Sequence, residues 1–289
     1  MTARQAPQVR TASLKKALLT GAGALVMFFF LAPYIQMLIT SLTPSDELFE
    51  VPAQYMPSRL EFSNFIDVWT EAPLWGYLRS SLIIAGFATV LVLLVALPAA
   101  YYTARYRYRG RLVFLLLVLI TQMFAPTALV IGIYREWVAI GEILPFAGVN
   151  TYVALIIVNA AFNLAFSTWI MVAYFSTIPV ELEEAASIDG ASRLGVLRRV
   201  TLPLALPGII TATIFTFIAA WNEFVVALTL AQSPDIHPLT EGVTTFIGPY
   251  RVEWQFLFAS SLIAIVPVVI LFIIIERWLV GGLTAGAVK

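Results

Sequence analysis

The chain has 289 residues, of which 60% are hydrophobic and 12% charged, with no net charge, no cysteine and a mean hydropathy of +0.89. Soluble domains carry about twice that share of charge. The balance excludes bulk attraction to nucleic acid, and the missing thiols exclude disulfides, thiolate metal sites and a cysteine nucleophile.

The apolar residues fall in long runs. Roughly 20 such residues in a helix cross about 30 Å of hydrocarbon, and six runs reach that length: 17–42, 77–104, 112–134, 152–175, 207–231 and 256–280. None alternates with period two, so the expectation is an all-α integral membrane fold with six transmembrane helices rather than a barrel. The first run follows Arg4, Arg10, Lys15 and Lys16. It exceeds a signal-peptide core of roughly 7–15 residues, and Ser41-Leu42-Thr43 is a poor cleavage site, so it reads as an uncleaved span. Pro44, Pro52, Pro57 and Pro73 divide the next segment, 43–76, into short pieces that could form a small outer cap. In the third run, Pro126 sits where a kink is expected.

Positive charge alternates between the connections. Arg105, Arg107, Arg109 and Arg111 follow the second run, Arg193, Arg198 and Arg199 the fourth, and Arg277 and Lys289 the sixth. The alternate connections are acid-rich, with Asp46, Glu47, Glu50, Glu61, Asp67 and Glu71, then Glu136 and Glu142, then Asp235, Glu241 and Glu253. By the positive-inside rule both termini are cytoplasmic. The arginine run 105–111 sets this topology or binds anionic membrane lipid. Tyr34, Trp69, Trp75, Tyr77, Trp137, Tyr152, Trp254 and Trp278 fall near span ends, as expected of headgroup-level aromatics.

The connection 177–203 differs in kind. Pro179 suits a helix start, and Glu181, Glu183 and Glu184 suit the positive end of its dipole. Leu182, Ala185, Ala186 and Asp189 share a helical face, and Gly190 fits the left-handed residue just past a helix end. Ser192 can cap a second short helix ending in Arg198 and Arg199. The result is a compact helix–turn–helix with small residues at its tip, which let another protein surface come close.

Polar residues inside the spans are the other candidates. Glu223, in the fifth run, faces a cavity or pairs structurally with a neighbour. Asn159 and Asn163, one turn apart in the fourth run, and Gln122 in the third, could bind sugar hydroxyls or tie helices together. His237 has no companion ligands for a metal. No G-x-x-x-x-G-K-[ST] loop is present, so the chain has no nucleotide site of its own. Nor is there a Ser/His/Asp set or carboxylate–histidine cluster for an enzyme. An ion-coupled secondary transporter would need inverted repeats and several membrane carboxylates, and a scaffold subunit would need no pathway at all.

Glu184-Ala185-Ala186, three residues, Gly190, nine residues, Val200, one residue and Leu202-Pro203 matches in spacing the EAA motif of binding-protein-dependent ABC importer permeases, with Val200 where the pattern has Ile. Ala220-Trp221-Asn222-Glu223-Phe224 resembles a segment of carbohydrate-uptake permeases, as does the stretch 101–110. The tail 277–289 is similar to that of maltose-type second permeases. The resemblance implies a coupling helix between spans four and five. In it Glu184, Ala185, Ala186, Asp189 and Gly190 contact a dimer of ATPase subunits that hold ATP and Mg. It further implies a second permease subunit, an extracytoplasmic solute-binding protein, a sugar, oligosaccharide or polyol as cargo, and a place in the cytoplasmic (inner) membrane. Asn222 and Glu223 join Gln122, Asn159 and Asn163 as candidate pathway residues.

Overall fold

The computed structural model describes residues 8–50, 56–106 and 108–284, without the side chains of 8–15, 17 and 277–284. Arg4, Pro52, Arg107 and Lys289, and the side chains of Arg10, Lys15, Arg277 and Trp278, lie outside the described residues. In chain order the helices are α1 (Gln8–Ser41), α2 (Asn64–Glu71), α3 (Leu74–Arg105), α4 (Arg111–Thr121), α5 (Pro126–Ile143), α6 (Tyr152–Thr177) and α7 (Val180–Ile188). There follow α8 (Arg193–Val196), a π-helical turn (Leu197–Thr201), α9 (Leu202–Leu204), α10 (Leu206–Trp221), α11 (Val225–Leu230), α12 (Leu239–Gly242) and α13 (Trp254–Thr284). No strand occurs among the described residues beyond an isolated bridge, Ile247 to Val252.

Four helices are long and apolar enough to cross a membrane, and the number becomes six if each of two bent pairs is one span. The first bent pair, α4 and α5, turns by 96°. Pro126 opens α5 without an N–H to offer, and Ala125 before it is extended, with φ −66° and ψ 137°, as the proline ring demands. The expected kink is thus a full break, and α5 runs on to Ile143, so Arg135, Glu136 and Glu142 are helical rather than in a loop. The second pair, Arg193–Leu204 and Leu206–Trp221, bends by 73° at the Pro203/Pro207 segment. A further departure follows: the fifth run is not one helix, because α10 stops at Trp221 and α11 starts only at Val225.

The chain forms two compact units, residues 1–68 with 246–262, and 69–245 with 263–289. In the first, Asn64 Nδ2 donates to the carbonyls of Ser41 and Thr43, stapling α2 to the end of α1. Arg251 lies 4.8 Å over the Phe49 ring and donates to the Ser45 carbonyl.

The second unit is built on α3, α6 and α10. Their buried positions are rich in small residues: Ala85, Ala88, Ala96 and Ala100 on α3, Ala154, Ala160 and Ala165 on α6, and Ala212 and Ala220 on α10. Small side chains let backbones approach, and packing rather than a hydrophobic force holds helices together in lipid. Gly208 shows the limit, since a Cβ there would lie 2.3 Å from the Tyr174 ring. Across α6 and α10 the Ser167 and Thr216 hydroxyls bond at 2.6 Å. Of the aromatics near the expected span ends, Tyr34, Trp75 and Trp254 are exposed, whereas Trp137 and Tyr77 are buried. Trp137 packs with Ile84, Leu155, Val158 and Leu230 instead.

Candidate functional site

Residues 178–204 fold as a knuckle whose ends are set by local chemistry. Pro179 is the residue just before α7 rather than its first helical one, and Glu181 and Glu183 occupy the first turn, favourable near the dipole's positive end. At the other end, the Ala191 N–H donates to the Ala186 carbonyl and the Gly190 N–H to the Ser187 carbonyl. That pair of bonds is a Schellman motif and requires a left-handed residue. Gly190 supplies it, with φ +87°. A Cβ there would meet nothing within 4 Å, so the demand for glycine comes from the backbone and not from crowding. Ser192 Oγ then accepts from the Gly195 N–H at 3.2 Å, capping α8 as expected. Arg198 and Arg199 lie beyond α8, on the π-helical turn.

The knuckle has two faces. Glu184, Ala185, Asp189 and Gly190 are exposed, and Ala186 is half-buried. Around them Val180, Leu182, Leu194 and above all Ile188, 86% exposed, present apolar surface. On the other face Glu183 is buried. Its Oε1 accepts from Arg105 Nε at 2.8 Å and from the Thr201 hydroxyl at 2.8 Å, and its Oε2 accepts from the Tyr101 hydroxyl at 3.0 Å. Arg105 Nη1 donates to the Ile178 carbonyl at 3.0 Å. Nothing in the residue spacing pointed to this network. Glu183 reads as one more dipole acid and Arg105 as a topology arginine, yet the Arg105 side chain is only 7% exposed and its charge is already paired. Within the run 105–111, Arg105 is thus committed to a partner in the same chain. The available signal was an arginine placed at the last turn of a span, but no spacing rule links it to an acid 78 residues away.

The candidates within the spans have varied surroundings. Asn159 is buried; its Nδ2 donates to the Leu155 carbonyl, and its Oδ1 has no partner among the described residues. Asn163 Nδ2 donates one turn back, to the Asn159 carbonyl. Gln122, at the end of α4, donates to the Phe162 carbonyl at 3.0 Å and so links α4 to α6. Asn222 is exposed at the end of α10. Glu223 lies in the break itself. Its carboxylate accepts from the Val225 and Val226 N–H groups at 3.1 and 2.7 Å, replacing the carbonyls that a continuous helix would offer α11. Two of the three interruptions therefore carry candidate polar residues, Gln122 between α4 and α5 and Asn222 with Glu223 between α10 and α11. Among the described residues no cluster of three or more metal-ligating side chains exists.

Residues 93–284 match the family described as "Binding-protein-dependent transport system inner membrane component". The chain is 34% identical over 284 residues to the trehalose/maltose transport system permease protein MalG of Thermococcus litoralis, covering 97% of this chain and 99% of that one. It is 32% identical over 268 residues to the sulfoquinovosyl glycerol transport system permease protein SmoH of Agrobacterium fabrum, covering 93% and 92%. A chain in the crystal structure of a bacterial ABC transporter that imports the acidic polysaccharide alginate has the same fold, with TM-score 0.75 at 24% identity over 96% of this chain and 99% of that chain. With a family match over most of its length and two such relatives end to end, this protein belongs to the inner membrane components of binding-protein-dependent transport systems.

Proposed function

We propose that the chain is a permease subunit of an ATP-binding-cassette importer that carries a carbohydrate across the cytoplasmic membrane. In this reading the bent pairs are single spans, the spans number six, and the charge alternation places both termini and the knuckle on the cytoplasmic side. A second permease subunit completes the pathway, two ATPase subunits holding ATP and Mg dock on the knuckle, and a solute-binding protein delivers cargo on the outer side. The cargo class follows from relatives named for trehalose/maltose and sulfoquinovosyl glycerol transport.

The observation that carries the reading is the knuckle's outward face. Exposed Glu184, Ala185, Asp189 and Gly190 surround an almost fully exposed Ile188. The small side chains leave backbone accessible, and exposed apolar groups of this kind mark a protein-binding surface. Gln122, Asn222 and Glu223 are assigned to the pathway because irregular backbone at membrane depth is tolerated where it is buried in protein or lines a cavity, and Asn159 and Asn163, within the continuous α6, because their amides suit sugar hydroxyls. Nucleotide-driven closure of the ATPases moves the knuckle, which switches the pathway between inward-facing and outward-facing states.

The test uses Gly190→Asn and Glu184→Arg. Asparagine accepts the left-handed backbone while adding bulk to the docking face. Sugar uptake in cells is expected to fall at least about tenfold, the size of a typical coupling free energy, while the subunits still purify together. Wild-type uptake in both variants would overturn the assignment.

A further inference from the structure

The knuckle is joined to the rest of the second unit in two ways. One is the chain itself, which enters directly from α6 and leaves through the π-helical turn and the bend into α10. The other is the cluster at Glu183, where α3, α7, residue 178 and the π turn meet through Arg105, Tyr101, Ile178 and Thr201. The π turn has a part in this: Thr201, its last residue, is fully buried and gives its hydroxyl to Glu183. Both carboxylate oxygens are held, so Glu183 is fixed in direction as well as in distance.

Such a cluster is a poor device for stability alone. An ion pair out of water is often no better than an apolar contact of the same volume. Here Arg105 Nη2 is also buried without an acceptor among the described residues, a cost that an apolar contact would lack. A cluster of directed bonds instead resists sliding and rotation, which an apolar contact allows. It sits at the end of the helix that packs along α6 and α10, so any force on α7 reaches the centre of the unit by a second route.

We propose that Arg105 and Glu183, seated by Tyr101 and Thr201, are positioning residues that make α3 follow α7, so that the second span moves with the knuckle as one body. The proposal rests on the reading of the knuckle as the ATPase-facing element.

The experiment takes the complete transporter, with its partner subunits and binding protein, in proteoliposomes. Arg105→Gln, Glu183→Gln and the double variant are compared for ATP hydrolysed per sugar imported, per assembled complex. Each single variant is expected to import about tenfold less sugar with ATP hydrolysis changed by less than about twofold, and the double variant to be no worse than either. Uptake and hydrolysis falling in parallel, or both staying at wild type, would overturn the proposal. Tyr101→Phe and Thr201→Val keep the ion pair and cover the case in which the charge variants do not assemble. They are expected to raise the ATP-to-sugar ratio by about two- to fivefold, and an unchanged ratio counts against the proposal.

A structural readout is also available, since the chain has no cysteine. Spin labels at Tyr102→Cys and Glu181→Cys, both exposed positions outside the docking face, should keep one distance with and without nucleotide in the otherwise wild-type chain. With Arg105→Gln added, that distance should change with nucleotide. A wild-type distance that shifts with nucleotide overturns the one-body motion. Wild-type uptake that ignores ATP would sink the ATPase-facing reading itself. ATP-driven uptake with a normal ratio in every variant would sink this inference alone.

Discussion

Two buried glutamates, Glu183 and Glu241, sit on short helices between spans and have opposite surroundings. Glu183 accepts three hydrogen bonds and faces a guanidinium. Glu241 has one oxygen 3.4 Å from His237 Nε2, and its other oxygen is buried with no partner among the described residues. The His237 ring stacks on Tyr77 at 6.2 Å, and Gly242 presses its backbone against the same tyrosine. Burial without a matching cation pushes the Glu241 carboxyl up from 4.5 to about 7, and burial lowers the His237 imidazole below 6.5. Burial of a carboxylate therefore does not by itself decide its behaviour. A cation within bonding distance makes one a fixed strut, and its absence makes the other a group that changes charge near neutral pH.

The largest effect should come from the strut. Glu183→Ala leaves the Arg105 guanidinium buried and unpaired, which costs about 3–5 kcal/mol. Thermal unfolding of the purified complex is expected to show that loss, and Glu183→Ala with Arg105→Leu should recover most of it. A loss below about 1 kcal/mol would place the pair with exposed ion pairs and erase the contrast with Glu241. Next in size is Gly242→Ala. Its Cβ would lie 2.1 Å from Tyr77 Cδ2 and 2.4 Å from Cγ, near the root of the ring, where the side chain has little freedom to move. Overpacking of this kind costs about 1–3 kcal/mol, read as a lower melting temperature. If Gly242→Ala is silent, Tyr77 is not held in place by this wall, and the cluster around Glu241 is looser than the knuckle.

What the sequence made legible follows the same division. Gly190, Ser192 and the start of α7 could be read because caps and turns depend on neighbours a few residues away. The lengths of the apolar runs similarly bound the number of spans. The break at Asn222 to Phe224 was hidden because the apolar run continues across it, and hydropathy does not register a carboxylate that bonds to the next helix's own N–H groups. Pro126 was visible, but the size of the bend was not, since that depends on what α5 packs against. The pairing of Arg105 with Glu183 and of His237 with Glu241 shows a further limit. The second pair is four residues apart and could have been suspected from helical spacing, whereas the first spans 78 residues and three intervening helices.

The smallest expected effect concerns the sign of a pH dependence. Glu241 has a raised value in the folded chain, so the folded state holds its proton more tightly than the unfolded state does. Its contribution to stability is present in full below about 4.5 and is lost as pH rises through about 7. The depressed value of His237 works the other way: its contribution is present above 6.5 and is lost as pH falls through the folded value. Glu241→Gln removes the first dependence and leaves the second. The difference in melting temperature between Glu241→Gln and wild type should therefore move in favour of the variant as pH rises from about 4.5 to about 8. A constant offset between the two curves would reflect only how well the amide packs. A change with pH requires a proton that the wild type releases in that window, so parallel curves would mean that Glu241 is already charged at pH 4.5 and has found a partner as Glu183 has.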